Sequence, residues 1–378
     1  MSTINNIFVV AGESSGDQHA ANYVKEHKKV NPEAVFTAIG QQELNNSGAN
    51  IIFNSEEISV IGIIEVISKY SKIRKALNIA YNHIINSKPD LIVLVDYVEF
   101  NLKIARFAKK YNIPVLFYVA PQVWAWREKR IKKIVEVVDQ LAVIFPFEER
   151  IFKKYTQNVT YVGHPLADDP RFKPTDLKYN HRMTTIGIFP GSRESEIRNN
   201  LYRMIDSIRI VKNDDIYSKN IKIFYANATA KKLLVHLLPE GWSALLVDGK
   251  DLSEIKKCQK VITASGTVTL ELAMMNIPMI IMYRLSPFTY FIMKHLVKLK
   301  YIGLVNLILG DSLGSQPVVK EFIQPDYSDE VQVMVELQRI DNDISYREKI
   351  EDGYNQVRKT LKPGAAMNVA KIANKMIR

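Results

Sequence analysis

Ser265, Gly266 and Thr267 form a short polar loop whose residue types can bind the oxygens of a phosphate group. An apolar β-branched run precedes the loop and a helical pattern follows it, so backbone N–H groups and the positive end of a helix dipole should face it. Glu271 lies about one turn into that helix, where its carboxylate could accept hydrogen bonds from a ribose diol. The same pattern is equally typical of an ordinary capped turn between a strand and a helix, so this loop alone leaves both interpretations open.

A second loop with phosphate-binding residue types contains Gly191, Ser192 and Arg193. It follows a strand-like run and opens a helical pattern. Gly191 allows a tight backbone turn, and the planar guanidinium of Arg193 can bind a diphosphate through two N–H groups. The alternative interpretation is a surface arginine on a capped helix. Two such loops in one half of the chain favour a phosphate ligand more strongly than either loop alone.

The first turn of the chain, Gly12–Asp17, combines two glycines with two acidic residues. Carboxylates repel phosphate but suit sugar hydroxyls, and the glycine spacing does not match a dinucleotide-binding loop. We therefore predict that Gly12, Glu13, Ser15 and Asp17 line a sugar substrate. The alternative is a capped turn in which Ser15 or Asp17 is the cap.

Asp96 ends the apolar run 91–95 and is a candidate general base. A carboxylate at the mouth of a buried parallel strand is partly removed from water, and this raises its pKa toward a value useful for accepting a proton. Glu99, three residues further on, is a second candidate. The alternative interpretation is that Asp96 only caps the next helix, which begins near Asn101.

The elements that must position these residues are strand-like apolar runs that alternate with helical patterns along the chain. Such alternation predicts parallel sheets. The pattern loosens after Asp168 and starts again near residue 185, so we predict an α/β chain with two Rossmann-like, doubly wound domains that face each other across a cleft. We expect domain 1 at residues 1–180 and domain 2 at residues 181–349, with C-terminal helices near 350–378 that cross back onto domain 1.

Two further segments could contact a sugar or a membrane. Trp124 belongs to an aromatic stretch that could stack on a sugar or touch acyl chains, and packing under the domain edge is the alternative. Residues 58–77 carry apolar side chains at helical spacing beside several basic residues, as in a helix that lies on an anionic bilayer. The alternative for this segment is a helix that faces the core.

The composition indicates anionic partners. Among 378 residues, 51 are lysine or arginine and 40 are acidic, which gives a net charge of +11. This charge suits phosphorylated molecules, nucleic acid or an acidic membrane surface, but the basic residues are scattered and match no nucleic-acid motif. The single cysteine, Cys258, excludes an internal disulfide, and the histidines lack metal-ligand spacing. No run reaches the roughly 18 uninterrupted apolar residues of a membrane span.

Several motifs in chain order resemble those of the lipid-A-disaccharide synthase family, which are inverting glycosyltransferases of the GT-B architecture. The matching segments are Gly12–Asp17, Val60–Val66, Val123–Arg127, Gly163–Asp168, Pro190–Arg193 with Glu196, Ser265–Glu271, Tyr283–Arg284 and Leu304–Leu307. The resemblance runs nearly from end to end. It implies that UDP-2,3-diacylglucosamine is joined to 2,3-diacylglucosamine 1-phosphate, giving a β-1,6-linked tetraacyl disaccharide 1-phosphate and UDP.

The resemblance also implies roles for the site residues. Asp96 matches the catalytic base and Asn306 matches an active-site asparagine, with Glu13 as a further catalytic candidate. Arg193, Gly191, Ser192 and the loop 265–267 would hold the diphosphate, and Glu271 would hold the ribose. The other substrate contacts would be Gly12, Ser15, Asp17, Trp124 and Arg284. No metal or other cofactor is expected, because cationic and dipolar groups can stabilise the leaving diphosphate.

Acylated substrates imply a cytoplasmic protein that is peripheral on the inner membrane. The lipid-facing side chains would be Ile61, Ile63, Ile64, Val66 and Ile67. The surplus positive charge would then bind acidic lipids and the acceptor phosphate. Members of the family can form homodimers, and the sequence itself does not indicate an oligomeric state.

The chain departs from the family pattern beside the expected base. The family usually reads Asp-x-Pro-Asp-Phe-Asn, whereas this chain lacks the proline after Asp96 and has Glu99 as the second acid. Compared with the family pattern, residues 311–315 also look like a lengthened loop, and Gln316 and Pro317 are atypical at their positions. One alternative function is another GT-B enzyme that acts on UDP-N-acetylglucosamine, such as a 2-epimerase or the peptidoglycan precursor glycosyltransferase. A second is a catalytically idle, membrane-bound protein that binds nucleotide sugars, although the expected base and both phosphate loops are present.

Overall fold

A computed structural model of the chain describes residues 5–58, 70–120, 128–174, 179, 185–209, 220–284, 301–310, 317–324 and 327–377. The chain divides into two compact units. The first consists of Met1–Asp168 and Leu361–Arg378, and the second is Asp169–Thr360. Each unit contains one parallel sheet, so the prediction of two parallel-sheet α/β domains is confirmed.

The first unit is built on a seven-stranded sheet with the order β3-β2-β1-β4-β5-β6-β7. Its strands are β1 Asn6–Ala11, β2 Val35–Gly40, β3 Asn50–Asn54, β4 Leu91–Val95, β5 Val115–Tyr118, β6 Gln140–Val143 and β7 Val159–Tyr161. The strand order reverses direction between β1 and β4, which are paired in parallel. Ligands of doubly wound sheets bind at such a reversal, beyond the carboxyl ends of the strands.

Helices connect these strands in the usual alternation. They are α1 Ser14–Val30, α2 Gln42–Asn46, α3 Tyr70–Ser87, α4 Val98–Lys110, α5 Glu128–Val135, α6 Pro146–Phe152 and α7 Pro165–Asp168. Side chains of α3 and α4 form one core cluster with Phe8 and Val10 of β1 and Ile92 and Leu94 of β4. Strand β4 is apolar at every position because both faces of a central parallel strand are covered.

The second unit repeats this architecture with a six-stranded parallel sheet in the order β10-β9-β8-β11-β12-β13. The strands are β8 Ile186–Phe189, β9 Ile221–Tyr225, β10 Leu246–Asp248, β11 Lys260–Thr263, β12 Met279–Tyr283 and β13 Glu321–Ile323. The helices are α8 Glu194–Arg209, α9 Ala228–Leu237, α10 Leu252–Lys257, α11 Val268–Met274, α12 Leu304–Leu309, α13 Tyr327–Asn342 and α14 Ile344–Thr360. Here the order reverses between β8 and β11.

The last helix, α15 Ala365–Ile377, belongs to the first unit and packs against α1. The Asp168 carboxylate holds its start, accepting hydrogen bonds from the backbone N–H groups of Gly364 at 2.6 Å and Ala365 at 3.1 Å. Of the two predicted C-terminal helices that the structure describes near residues 350–378, α15 is the one that belongs to the first unit. Helix α14 stays in the second unit, where the Arg358 guanidinium donates to the Ala273 carbonyl oxygen at 2.6 Å.

The unit boundaries therefore differ from those expected near residues 180 and 350. The first unit ends at Asp168, and the return begins at Leu361. On the second unit's side of the early boundary, Asp169 and Arg171 are close enough to Glu271 to influence its pKa. The late return follows from the packing of α14 on α12 and α11.

Candidate functional site

The site residues of the first unit follow β1 and β4, the two strands at the reversal of the sheet. Ala11 and Val95 are register partners at the ends of these strands. Gly12 directly follows β1 and Asp96 directly follows β4, so the sheet places the two residues side by side. The sequence placed each residue after a strand, and the strand register adds that the two residues are neighbours.

Asp96 has the properties of a partly desolvated base. Burial raises the pKa of its carboxyl group, and a hydrogen bond from the backbone N–H of Tyr97 opposes this only in part. Its backbone is left-handed, with a φ of 50°, and Tyr97 has a φ of 43°. A carboxylate whose pKa is raised by burial accepts a proton more readily than an exposed one.

Gly12, Glu13 and Ser15 line the start of α1. A side chain at Gly12 would collide with the ring of Tyr97, because a Cβ built there lies 2.2 Å from the ring carbons. Glu13 is the N-cap residue of α1 and its negative charge contributes to raising the Tyr97 pKa to about 12, after the larger effect of burial. Ser15 is exposed in the first helical turn. Glu13 and Asp96 thus both adjoin Tyr97.

Asp17 has a different position from the one expected of a sugar ligand. It is only 1% exposed, and its carboxylate accepts hydrogen bonds from the backbone N–H groups of Gln41 at 2.6 Å, Glu43 at 3.0 Å and Leu44 at 3.3 Å. These bonds fix the loop between β2 and α2. Asp17 therefore has a structural role, since three backbone donors satisfy its buried oxygens, and its role toward the substrate stays a prediction.

Glu99, the second candidate for the base, is occupied by an ion pair. Its carboxylate contacts the guanidinium of Arg130 on α5, and its side chain is largely exposed. An exposed carboxylate paired with arginine has neither the burial nor the free oxygens that a base requires. Asp96 remains the candidate base.

In the second unit, the expected phosphate and ribose residues follow β8, β11 and β12, which are adjacent in the sheet. Gly191–Arg193 follow β8, Ser265–Thr267 follow β11, and Arg284 follows β12. Because the strands are parallel, these loops lie along one edge of the sheet. The reversal between β8 and β11 is therefore flanked by both predicted phosphate loops.

The loop at Gly191–Arg193 already holds an internal carboxylate. Glu196 accepts hydrogen bonds from the backbone N–H groups of Ser192 at 2.9 Å and Arg193 at 3.2 Å, and from the Arg193 guanidinium at 3.3 Å. Gly191 has a φ of 117°, and a Cβ there would lie 2.6 Å from Glu196 Cβ. The loop thus has an anion-binding shape, and Arg193 keeps a side chain that is 64% exposed.

The loop at Ser265–Thr267 leaves open space beside its glycine. Gly266 has a φ of 156°, and a Cβ built on it has no atom of the described residues within 4 Å. The Ser265 hydroxyl donates to the Ile302 carbonyl oxygen at 3.4 Å, while the Thr269 hydroxyl donates to Gly266 O at 2.7 Å. Thr267 is the N-cap residue of α11. The open backbone at Gly266 is where a ligand can approach closely.

Glu271 lies on α11, and its environment includes two residues that the sequence analysis missed. Burial raises the pKa of its carboxyl group, the positive charge of Arg171 lowers it, and the negative charge of Asp169 raises it. Arg171 donates to both carboxylate oxygens of Asp169. These residues lie in a charge-rich linker, where nothing in the local pattern distinguishes them from other surface charges.

Arg284 is held through its backbone by Asn200 of α8. The Arg284 N–H donates to Asn200 Oδ1 at 2.7 Å, and Asn200 Nδ2 donates to the Glu196 carbonyl oxygen at 2.7 Å. In addition, the Tyr283 hydroxyl donates to the Glu196 carboxylate at 3.4 Å. The end of β12 is thereby tied to the helix that carries the Gly191–Arg193 loop.

Asn306, expected in the active site, is fully buried and its side-chain amide is used within the protein. Its Oδ1 accepts from the N–H groups of Val318 and Val319, both at 3.1 Å. Its Nδ2 donates to Val319 O and to Glu321, each at 2.7 Å. Glu321 in turn accepts from Ile302 N at 2.8 Å. Asn306 therefore has a structural role in supporting the segment next to Ser265, and its role in the active site stays a prediction.

Replacing Asn306 by alanine should lower the free energy of unfolding. The substitution leaves two buried N–H groups without their acceptor, and each such loss costs about 1–3 kcal/mol. Chemical denaturation followed by circular dichroism measures the change. Asn355→Ala, on α14, is a control that removes an amide whose oxygen accepts a hydrogen bond from the Arg358 side chain. Unchanged stability of Asn306→Ala together with lost activity would contradict the structural role.

Several predicted residues lie outside the described residues, namely Trp124, Ile61, Ile63, Ile64, Val66 and Ile67. The described part of residues 58–77 begins α3, where Leu77 is buried and Tyr70 is exposed. None of the helices in the described part of the chain is long and apolar enough to cross a membrane. Nor do the described residues contain a cluster of histidine, cysteine and carboxylate groups that could hold a metal ion.

Comparison with known proteins decides the family. The sequence model described as Lipid-A-disaccharide synthetase matches residues 7–376. The lipid-A-disaccharide synthase of Geobacter metallireducens is 34% identical over 380 residues, which cover 98% of this chain and 97% of that protein. The chain belongs to the lipid-A-disaccharide synthase family. The Coxiella burnetii enzyme of the same name is 33% identical, with 98% of each chain covered.

Membership of the lipid-A-disaccharide synthase family makes the protein a hexosyltransferase of lipid A biosynthesis. The fold agrees with that of GT-B enzymes. It is similar to the Staphylococcus aureus MnaA–UDP co-structure, with a TM-score of 0.61, 12% identity and coverage of 96% of this chain and 94% of that one. It is also similar to Acinetobacter baumannii MurG, with a TM-score of 0.54, 14% identity and coverage of 98% and 99%.

Proposed function

We propose that the protein transfers the sugar of UDP-2,3-diacylglucosamine to the 6-hydroxyl of 2,3-diacylglucosamine 1-phosphate. The observation that carries the mechanism is the partly buried Asp96 carboxylate at the strand reversal of the first sheet, where desolvation raises its pKa. Membership of the lipid-A-disaccharide synthase family supports this choice of substrates. The products are a β-1,6-linked disaccharide 1-phosphate and UDP.

The proposed reaction is a single displacement with inversion at the anomeric carbon. Asp96 accepts the proton of the acceptor 6-hydroxyl while the oxygen forms its bond to C1 of the donor sugar. The bond from C1 to the diphosphate oxygen breaks, and UDP leaves with the electron pair. Because one displacement inverts the α-linked donor to a β-linked product, no covalent sugar–enzyme intermediate is needed.

The second unit would bind the donor nucleotide. Arg193 and the open backbone at Gly266 suit the diphosphate, and Glu271 suits the ribose hydroxyls. When a diphosphate binds, the Glu196 carboxylate would have to release its hydrogen bonds from the loop N–H groups, or bind the Arg193 guanidinium together with the diphosphate. Arg171 lies near Glu271 and adds positive charge on that side. We propose that these groups stabilise the leaving UDP without a metal ion.

We also propose that the protein works in the cytoplasm as a peripheral protein on an anionic membrane surface. Acylated substrates reside in a bilayer, and exposed Tyr70, Lys72, Arg74 and Lys75 on α3 form a basic, aromatic face. Each basic side chain near an anionic surface contributes about 1 kcal/mol of attraction. A homodimer is a further proposal that oligomeric-state measurements would test.

Purified protein should form the disaccharide from both acylated substrates in detergent micelles, with product detected by mass spectrometry. Addition of EDTA should leave the rate unchanged, because cationic side chains rather than a metal neutralise the diphosphate. UDP-N-acetylglucosamine supplied alone serves as the control and should be neither epimerised nor transferred. No disaccharide from the folded protein would overturn the proposal, and a rate abolished by EDTA and restored by a divalent ion would overturn the metal-independent mechanism.

A further inference from the structure

Two consecutive residues at the end of β4 have left-handed backbones that only glycine adopts without cost. Asp96 has a φ of 50° and Tyr97 has a φ of 43°. For residues with a side chain, this conformation persists only where surrounding contacts impose it. The structure identifies two such contacts.

The first contact is the side-chain amide of Asn101, which lies in the first turns of α4. Its Nδ2 donates to the carbonyl oxygens of Asp96 at 2.7 Å and Val95 at 3.2 Å. The Val95 carbonyl is the last of β4, and the Asp96 carbonyl is the first of the left-handed turn. Asn101 is fully buried, and its Oδ1 has no hydrogen-bond partner among the described residues. An apolar side chain at this position would avoid the cost of burying an oxygen that has no donor. The stabilising contribution of the Asn101 amide is therefore its two donated hydrogen bonds.

The second contact is Tyr97 itself, which is clamped at both ends of its side chain. Its hydroxyl donates to the Ile58 carbonyl oxygen at 2.7 Å. Its ring covers Gly12, where any Cβ would collide with it. The ring also packs against the ring of Phe100 on α4, and the two ring centroids are 5.4 Å apart. Tyr97 therefore cannot rotate its backbone out of the left-handed region without breaking contacts with the ends of β1 and of the segment after β3.

We propose that Asn101 and Tyr97 are positioning residues that hold the Asp96 carboxylate in its desolvated place at the strand reversal. The proposal rests on the assignment of Asp96 as the base. Asn101 fixes the two carbonyl groups around Asp96, and Tyr97 fixes the residue after it. Neither side chain has to touch the substrate. Together they determine the orientation of the Asp96 carboxylate and how far water reaches it.

Two variants test this proposal. Asn101→Ala removes both donated hydrogen bonds, and Tyr97→Phe removes only the hydroxyl bond to Ile58. We expect kcat to fall about a hundredfold for Asn101→Ala, since a misplacement near 1 Å can cost that much. For Tyr97→Phe we expect a fall of roughly threefold to tenfold, the equivalent of one hydrogen bond. The dissociation constant for UDP, measured by calorimetry, should stay within about twofold of the wild-type value, because the expected nucleotide residues belong to the other unit.

The acid limb of the pH profile separates positioning from a general loss of stability. A carboxylate that becomes more hydrated loses the upward shift of its pKa, so the acid limb of kcat/KM should move to lower pH in both variants. Ile104→Val, at a buried position of α4, and Tyr111→Phe, at an exposed tyrosine, are matched controls that should keep the wild-type profile. The proposal would be overturned if the folded variants had the wild-type kcat and an acid limb at the wild-type pH. If Asn101→Ala does not fold, the result for Tyr97→Phe alone decides between these outcomes. Absence of disaccharide from the wild-type protein would instead overturn the proposed function.

Discussion

Asp96→Asn should reduce kcat for disaccharide formation by about 10²–10⁴-fold, the usual contribution of a positioned general base. Asparagine keeps the size of the side chain but cannot accept the proton of the acceptor hydroxyl. Steady-state kinetics in mixed micelles measures the loss, and calorimetry with UDP should show an unchanged affinity. Glu99→Gln is the matched control, since its carboxylate is exposed and paired with Arg130, and it should retain activity. Wild-type turnover by folded Asp96→Asn would exclude Asp96 as the base.

The wild-type enzyme should also show the raised pKa of Asp96 in its pH dependence. The base works only when it is deprotonated, and burial favours the neutral form of the carboxyl group. Activity should therefore be lost as the pH falls through a pKa above the usual aspartate value. The acid limb of kcat/KM reports this pKa for the free enzyme. An acid limb at the ordinary aspartate value would show that Asp96 is hydrated in the working enzyme.

Arg193→Ala should lower kcat/KM by about 10²–10³-fold, as the loss of one transition-state charge partner typically does. The guanidinium supplies fixed positive charge where the diphosphate leaves, and its removal also leaves the Glu196 carboxylate unopposed in the same loop. Competition by UDP should weaken in parallel. Arg193→Lys should recover only part of the rate, because lysine cannot present two parallel N–H groups.

Arg198→Ala provides the matched control for this prediction. Arg198 is a half-exposed arginine on α8 that pairs with Glu194. An exposed pair of this kind contributes little to stability, so the variant should keep both its fold and its activity. Equal losses in the two variants would indicate a nonspecific effect of the net charge. Full activity of Arg193→Ala would place the diphosphate elsewhere.

The strand-and-loop part of the site was predictable from the sequence because it follows from periodicity. Asp96 ends an apolar run, and Ser265 and Gly191 also follow apolar runs, so parallel sheets had to gather them at carboxyl edges. The register between β1 and β4 agrees with this. Local patterns are sufficient wherever the position of a residue depends on the element that carries it.

The hydrogen-bond partners of Asp17 and Asn306 could not be predicted from the sequence, because most of them are distant backbone groups. Asp17 binds N–H groups near residue 43, and Asn306 binds those of Val318 and Val319. A side-chain type does not show whether its oxygens face a ligand or a backbone loop brought close by folding. The same limit applies to Arg171, whose proximity to Glu271 arises only in the folded second unit.

The return of α15 to the first unit has a consequence for synthesis on the ribosome. Helix α15 packs on α1 and is capped by Asp168, yet all of Asp169–Thr360 must be translated before it emerges. At about 5–20 residues per second, this takes roughly ten to forty seconds. During that interval the surface of α1 that α15 covers is bare in the nascent chain. The first unit, although it is made first, is therefore completed last.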